Sequence, residues 1–143
     1  MGIWMDIAKA LVSLVALVTA VGGALADLIV PASAKQHIYN PRWPPHAKFH
    51  NGQTISLGVL LGLLSLGLLW YSGGDQQVQF HTAVIIASFY WLAMLGASVI
   101  PGTRWSDPEF EKGEANRAKM PVQLRLVLIL LAILILGEIF QFL

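Results

Sequence analysis

The sequence predicts an all-α integral membrane protein, a four-helix bundle running up-down-up-down, and three observations predict it. Of 143 residues, 56% are hydrophobic and 12% charged, against roughly 25% charged in an ordinary soluble domain, and mean hydropathy is +0.65. Four apolar stretches, 8–31, 54–71, 80–100 and 121–143, each approach the ~20 residues that a helix needs to cross the hydrocarbon core. The basic residues are segregated: Lys35, Arg42 and Lys48 follow the first stretch, and Arg104, Lys112, Arg117, Lys119 and Arg125 lie between the third and fourth or just inside the fourth, whereas the opposite side has Lys9 alone. By the positive-inside rule both long connections are cytoplasmic, in a cell inner membrane, with both termini and the short 72–79 turn outside. Residues 1–143 read as a single transmembrane domain with no separate soluble module.

In the first stretch, Gly23-Ala24-Leu25-Ala26 resembles a signal-peptide cleavage site, but the apolar run from Ile7 to Ala26 exceeds the usual core of such a peptide, so a retained helix is expected. It should end near Val30-Pro31, because proline has no N–H for the helical ladder. Pro41, Pro44 and Pro45 hold the following connection in extended or turned backbone, and Ile38, Tyr39, Trp43 and Phe49 favour an ordered cap at the membrane interface. The second helix is expected to open at about Gln53-Thr54 and close at Trp70-Tyr71, before the tight turn Ser72-Gly73-Gly74-Asp75. The third runs from about Gln79 to Ile100, stopped by Pro101-Gly102. Residues 103–120, rich in both signs of charge, read as a solvated loop with a helical turn, and Pro121 suits the first turn of the fourth helix. Gly58, Gly62 and Ser65 on the second helix and Ala83, Ala87, Ala93 and Ala97 on the third predict that these two small-residue faces meet. The bulky aliphatic fourth helix is expected to face lipid or another copy, in keeping with a homo-oligomer.

Ionisable groups inside spans are expensive and mark function by default. Asp27, His81 and Glu138 qualify. Asp27 could anchor Arg42, Lys48 or a protonated histidine; His81 and Glu138 fall at the other membrane face and could pair.

The connection after the first helix and the start of the second hold three of the four histidines, His37, His46 and His50. His46 and His50 are four apart, so a helix beginning at Pro45 would put both on one face, a spacing that can bind a metal. Alternatively His50 points into the bundle as an axial haem ligand, with Asn51 or Gln53 as its hydrogen-bond partner and Arg42 and Lys48 placed for haem propionates. The chain has no cysteine, which excludes disulfides, thiolate metal sites and cysteine nucleophiles. It has neither a phosphate-binding glycine loop nor a nucleophile elbow, and its basic residues are explained by topology without a nucleic-acid partner.

The order helix, basic loop, Ala47-Lys48-Phe49-His50, second helix, short turn, third helix, then Ser98-Val99-Ile100-Pro101-Gly102-Thr103-Arg104 resembles styrene oxide isomerase, a family of small four-helix membrane enzymes. The string Asn40-Pro41-Arg42-Trp43-Pro44-Pro45-His46 also resembles small microbial membrane proteins. The first resemblance implies an oligomeric enzyme that holds ferric haem b through His50, with iron as Lewis acid on an epoxide oxygen and a hydride shift giving an aldehyde. That family's asparagine beyond the ligand is replaced here by Ser56, and its tyrosine on the third helix has an approximate counterpart in Tyr90. With Asn51, these are the candidate hydrogen-bond donors to a developing alkoxide.

Three function classes follow: a membrane-embedded isomerase or related lyase acting on an apolar small molecule; a non-catalytic binding or assembly protein whose basic, aromatic loop 32–53 docks lipids; and a small transporter, for which Asp27 and Glu138 are far from mid-membrane.

Overall fold

The computed structural model describes residues 2–110 and 120–143; the expected loop from 103 to 120 therefore lies partly outside the described residues. Helix α1 spans Ile3–Ala24 and continues as one wider turn of π-helix, Leu25–Ile29; a short helix α2, Pro31–Ala34, follows. The remaining long helices are α3, Pro45–Trp70, α4, Gln76–Ser98, and α5, Val122–Phe140. Among the described residues there is no strand, and four helices are long and apolar enough to cross a membrane. The chain is an all-α, up-down-up-down membrane bundle. Going round it, α1 packs on α3, α3 on α4, α4 on α5, and α5 back on α1.

The radial pattern is that of a lipid-immersed protein. Small and medium side chains fill the centre, among them Ala8, Val12, Val15, Ala16, Ala83, Ala87 and Val127, whereas Leu60, Leu63, Leu64, Ile85, Phe89, Ile129 and Ile135 point outward. A water-soluble bundle would bury those large side chains; acyl chains leave no reason to.

Helix α1 opens at Ile3, ahead of the expected residue 8, α4 ends at Ser98 and α5 at Phe140, a few residues short of expectation; two other boundaries differ for a visible reason. Helix α3 opens at Pro45, two turns before Gln53, because proline at the first helical position gives up only an N–H that is unpaired there anyway. Its polar start, Pro45 to Gln53, is helical and continuous with the apolar span that follows. Helix α4 opens at Gln76, since the Asp75 carboxylate accepts from the backbone N–H groups of Gln77 at 2.9 Å and Val78 at 3.1 Å, a capping arrangement that the Gly-rich turn delivers.

The small faces of α3 and α4 meet only in part. Ser65 Oγ donates to the Ala83 carbonyl at 2.8 Å, but Gly58 and Gly62 receive α1. A methyl at Gly62 would lie 2.5 Å from the Ala16 carbonyl oxygen, and one at Gly58 2.9 Å from that of Thr19. The glycine pair thus allows a close backbone approach of α3 to α1. Thr19 extends the tie across the centre, accepting at Oγ1 from Trp91 Nε1 at 2.9 Å and donating to the Val15 carbonyl. Helix α5 buries Val127, Leu130, Leu134 and Gly137 and leaves its other faces outward.

Candidate functional site

The π-turn is where the candidate site begins. Val30 N–H bonds to the Leu25 carbonyl at 2.8 Å, skipping Ala26, whose next available partner would be Pro31, which has no N–H. Ser33 Oγ fills that gap, donating to the Ala26 carbonyl at 2.6 Å. This bond folds α2 back onto the end of α1. It carries His37 to the face of Asp27, the residue at the centre of the widened turn. Insertions of this kind recur at functional sites because they re-aim one side chain without breaking the helix.

Asp27 is largely buried and receives two donors. His37 Nδ1 lies 3.0 Å from Oδ1, and Asn51 Nδ2 donates to Oδ2 at 2.6 Å. The same Nδ1 lies 3.0 Å from the Ser33 carbonyl. Both neighbours of Nδ1 are acceptors, so Nδ1 carries the hydrogen and Nε2 is the nitrogen left to gain or lose a proton. Trp43 packs edge-on to the imidazole, centroids 5.7 Å apart, and limits its rotation.

Asp27 and His37 line a cavity of about 510 Å³ between α1, α4 and α5. Its walls are apolar at Val18, Met94, Ala97 and Leu126, with the polar groups Ser33, Tyr90, Thr103, Arg104 and Gln123 also on the lining. Gly102, at φ +88°, turns the chain after α4, and Thr103 Oγ1 donates to the Ala97 carbonyl at 2.7 Å. The two together set Arg104 and Trp105 at the cavity. Gly58 makes room for Tyr90, since a methyl there would meet its ring at 3.2 Å, whereas one on Gly23 would make only ordinary contact with its hydroxyl at 3.5 Å. The phenol hydroxyl has no hydrogen-bond partner among the described residues, so it is available to a guest. A pocket of this size, mostly apolar with a few convergent polar groups, suits one small organic molecule.

The candidates from sequence divide sharply. Tyr90 lines the cavity; Asn51 is not on the lining and donates to Asp27, not to His50. Ser56 does not take part: it is exposed on α3, its hydroxyl donating to the Gly52 carbonyl of its own helix at 2.9 Å. Arg42 pairs with Glu109, joining the two long connections, and is not directed at a bound group. Lys48 is half-buried in the first turn of α3 and makes no ion pair among the described residues. His50 is exposed and lies outside the cavity lining; its Nε2 stands 3.1 Å from His46 Nε2 and its Nδ1 3.2 Å from Gln53 Oε1. With the ring turned away and Arg42 engaged elsewhere, the residues near His50 do not form a haem seat within one chain.

His37, placed by sequence only among the loop histidines, is the one that meets Asp27. The available signal was Pro31 four residues beyond Asp27, which strips a helix end of a donor just where Ser33 and His37 follow. At the opposite end, His81 Nδ1 lies 2.9 Å from Glu138 Oε2, and Gln141 donates to the same carboxylate at 2.6 Å. Lys9 is buried to 4% exposure, donating to Gln76 Oε1 at 3.2 Å and lying 5.6 Å above the Trp70 ring.

The model of a family of unknown function, DUF6640, matches residues 11–132. The chain belongs to that family. The matched region of this DUF6640 member takes in Asp27, His37, Asn51, Tyr90 and Arg104. No curated protein and no solved structure matches the chain.

Proposed function

We propose that the protein is a membrane-embedded isomerase acting on an apolar small molecule with one oxygen function, an epoxide being the favoured class, with His37 as its acid–base group. The observation that carries this reading is the Asp27–His37 contact at 3.0 Å on a cavity of about 510 Å³. A carboxylate fixed to Nδ1 orients an imidazole, leaving Nε2 to exchange a proton with a guest.

In this mechanism His37, protonated at both nitrogens, gives the Nε2 proton to the epoxide oxygen as one C–O bond breaks. Hydride then moves from the oxygen-bearing carbon to the adjacent cationic carbon. The resulting protonated carbonyl returns its proton to Nε2, so the product is an isomeric aldehyde or ketone and the enzyme is unchanged. Tyr90 and Arg104 donate hydrogen bonds to the oxygen while charge develops there, in a site whose apolar walls strengthen those bonds. The styrene oxide isomerase resemblance supports the reaction class; no step is assigned to haem, because His50 is turned away from the cavity. The positive-inside bias supports an orientation in which the cavity's polar end faces the cytoplasm.

The test is incubation of the detergent-purified protein with a panel of lipophilic epoxides, products being separated by gas chromatography. Carbonyl isomers should form, and His37→Ala and Asp27→Asn should each abolish them while His50→Ala should not. No turnover with any epoxide, or turnover unaffected by His37→Ala, would overturn the assignment.

A second reading, a non-catalytic protein that docks lipid headgroups, is favoured by the exposure of Tyr39 (61%) and Phe49 (65%) beside Lys35 and Lys48. It predicts retention on anionic vesicles that Tyr39→Ala and Phe49→Ala weaken.

A further inference from the structure

His46 and His50 lie outside the cavity, yet their geometry is specific. Both sit in the first two turns of α3, four residues apart, so their side chains share one face. Their Nε2 atoms are 3.1 Å apart and the rings meet edge to face, centroids at 4.5 Å and planes at 75°. Two imidazoles about 2.05 Å from one ion place their donor nitrogens about 3.3 Å apart at a tetrahedral angle and about 2.9 Å apart at a right angle. The observed spacing falls between these values.

The hydrogen bonding is also that of a pair of ligands. Gln53 Oε1 lies 3.2 Å from His50 Nδ1, so Nδ1 carries the hydrogen and His50 Nε2 presents its lone pair. His46 must then supply the proton between the two Nε2 atoms. An outer acceptor that fixes the tautomer of a ligating histidine is a recurrent feature of metal sites. Phe49 lies parallel to the His46 ring, planes within 4° and centroids 6.2 Å apart, and supports its orientation.

We propose that His46 and His50 bind one divalent transition-metal ion through their Nε2 atoms. The ion takes the place of the shared proton, which moves to Nδ1 of His46, leaving both rings neutral. Among the described residues no third His, Cys, Asp or Glu completes a cluster, so water fills the remaining positions. Imidazole donors with open positions select Cu(II) over Ni(II) and Zn(II) by the ordinary affinity series. The site is independent of the Asp27–His37 cavity.

The test uses full-length protein purified through a non-histidine tag and titrated with Cu(II), then Zn(II), by calorimetry and, for copper, electron paramagnetic resonance. One ion per chain is expected, with superhyperfine splitting from two nitrogens and tighter binding of copper. His46→Ala or His50→Gln should remove that binding step, Gln53→Ala should weaken it about 10- to 100-fold, and His37→Ala and His81→Ala should leave it intact. These side chains are exposed, and an unchanged melting temperature will show that the variants fold. A wild-type chain that binds no ion, or a step that survives His50→Gln, overturns the proposal.

Discussion

Asn51 gives an amide proton to Asp27 at 2.6 Å while its own Oδ1, buried, meets no hydrogen-bond donor. The amide could satisfy that oxygen by rotating only at the cost of facing a carboxylate with a carbonyl. The arrangement therefore places the demands of Asp27 first. A hydrogen bond to a charged partner contributes about 1.5–3 kcal/mol, enough to hold the residue in this state. Asn51→Ala should lower the detergent melting temperature and should cost less in an Asp27→Asn background, as a double-mutant cycle will show. Additive losses would mean that the two side chains are not coupled.

Ser33 stands in for the N–H that Pro31 lacks. Replacing it by alanine leaves the Ala26 carbonyl without its partner, a cost of about 1–3 kcal/mol, and frees α2 to drift from α1. Ser33→Ala should reduce both stability and epoxide turnover. Ser33→Thr, which keeps the hydroxyl, should recover most of each.

Gly62 and Gly67 lie on the same helix and should respond oppositely to alanine. At Gly62 the added methyl meets α1 backbone and Ala20 at 2.5–2.7 Å. Backbone cannot step aside as a flexible side chain can, so overpacking of about 1–3 kcal/mol is expected. At Gly67 nothing lies within 4 Å, and Gly67→Ala should be neutral or stabilising by up to about 1 kcal/mol. Thermal melts of the two variants check this.

Arg42 and Glu109 bring the two long connections together at one face of the bundle. As an exposed pair it is worth about 0–1 kcal/mol, so Arg42→Ala should barely move the melting temperature. Its value is topological. The chain has no cysteine, so Arg42→Cys/Glu109→Cys should be joined by a short bis-maleimide cross-linker that spans the reach of the two replaced side chains. A lone Tyr39→Cys should react with an impermeant maleimide from the cytoplasmic side only; labelling from outside would reverse the orientation.

The four spans were legible because the bilayer imposes a length and a composition that few other environments tolerate. The start of α3 was legible only in part, since Pro45-His46-Ala47-Lys48 has the polarity of a loop and a helix beginning at Pro45 stood only as an alternative to an opening at Gln53-Thr54. The small-residue pattern of Gly58 and Gly62 announced close packing without naming the neighbour. Spacing in sequence also cannot say which way a ring turns: His50 looked like the inward ligand, but its bonds to His46 and Gln53 keep it outside. The decisive pairing of Asp27 with His37 depends on the hydrogen-bond shift at Leu25–Ile29, a three-dimensional event whose written trace is a single proline.

That wide turn works as a one-residue insertion, and its width is what matters. A π-turn holds about one residue more than an α-turn, so deleting Leu28 would let the ladder close as ordinary helix, with the downstream chain in nearly its present phase but without the widened turn that positions Asp27. The carboxylate would then lose the place where it meets the imidazole, although neither had been altered. The acid–base pair is thus specified by counting as well as by chemistry, and a single lost codon there would be more damaging than most substitutions within the pair's surroundings.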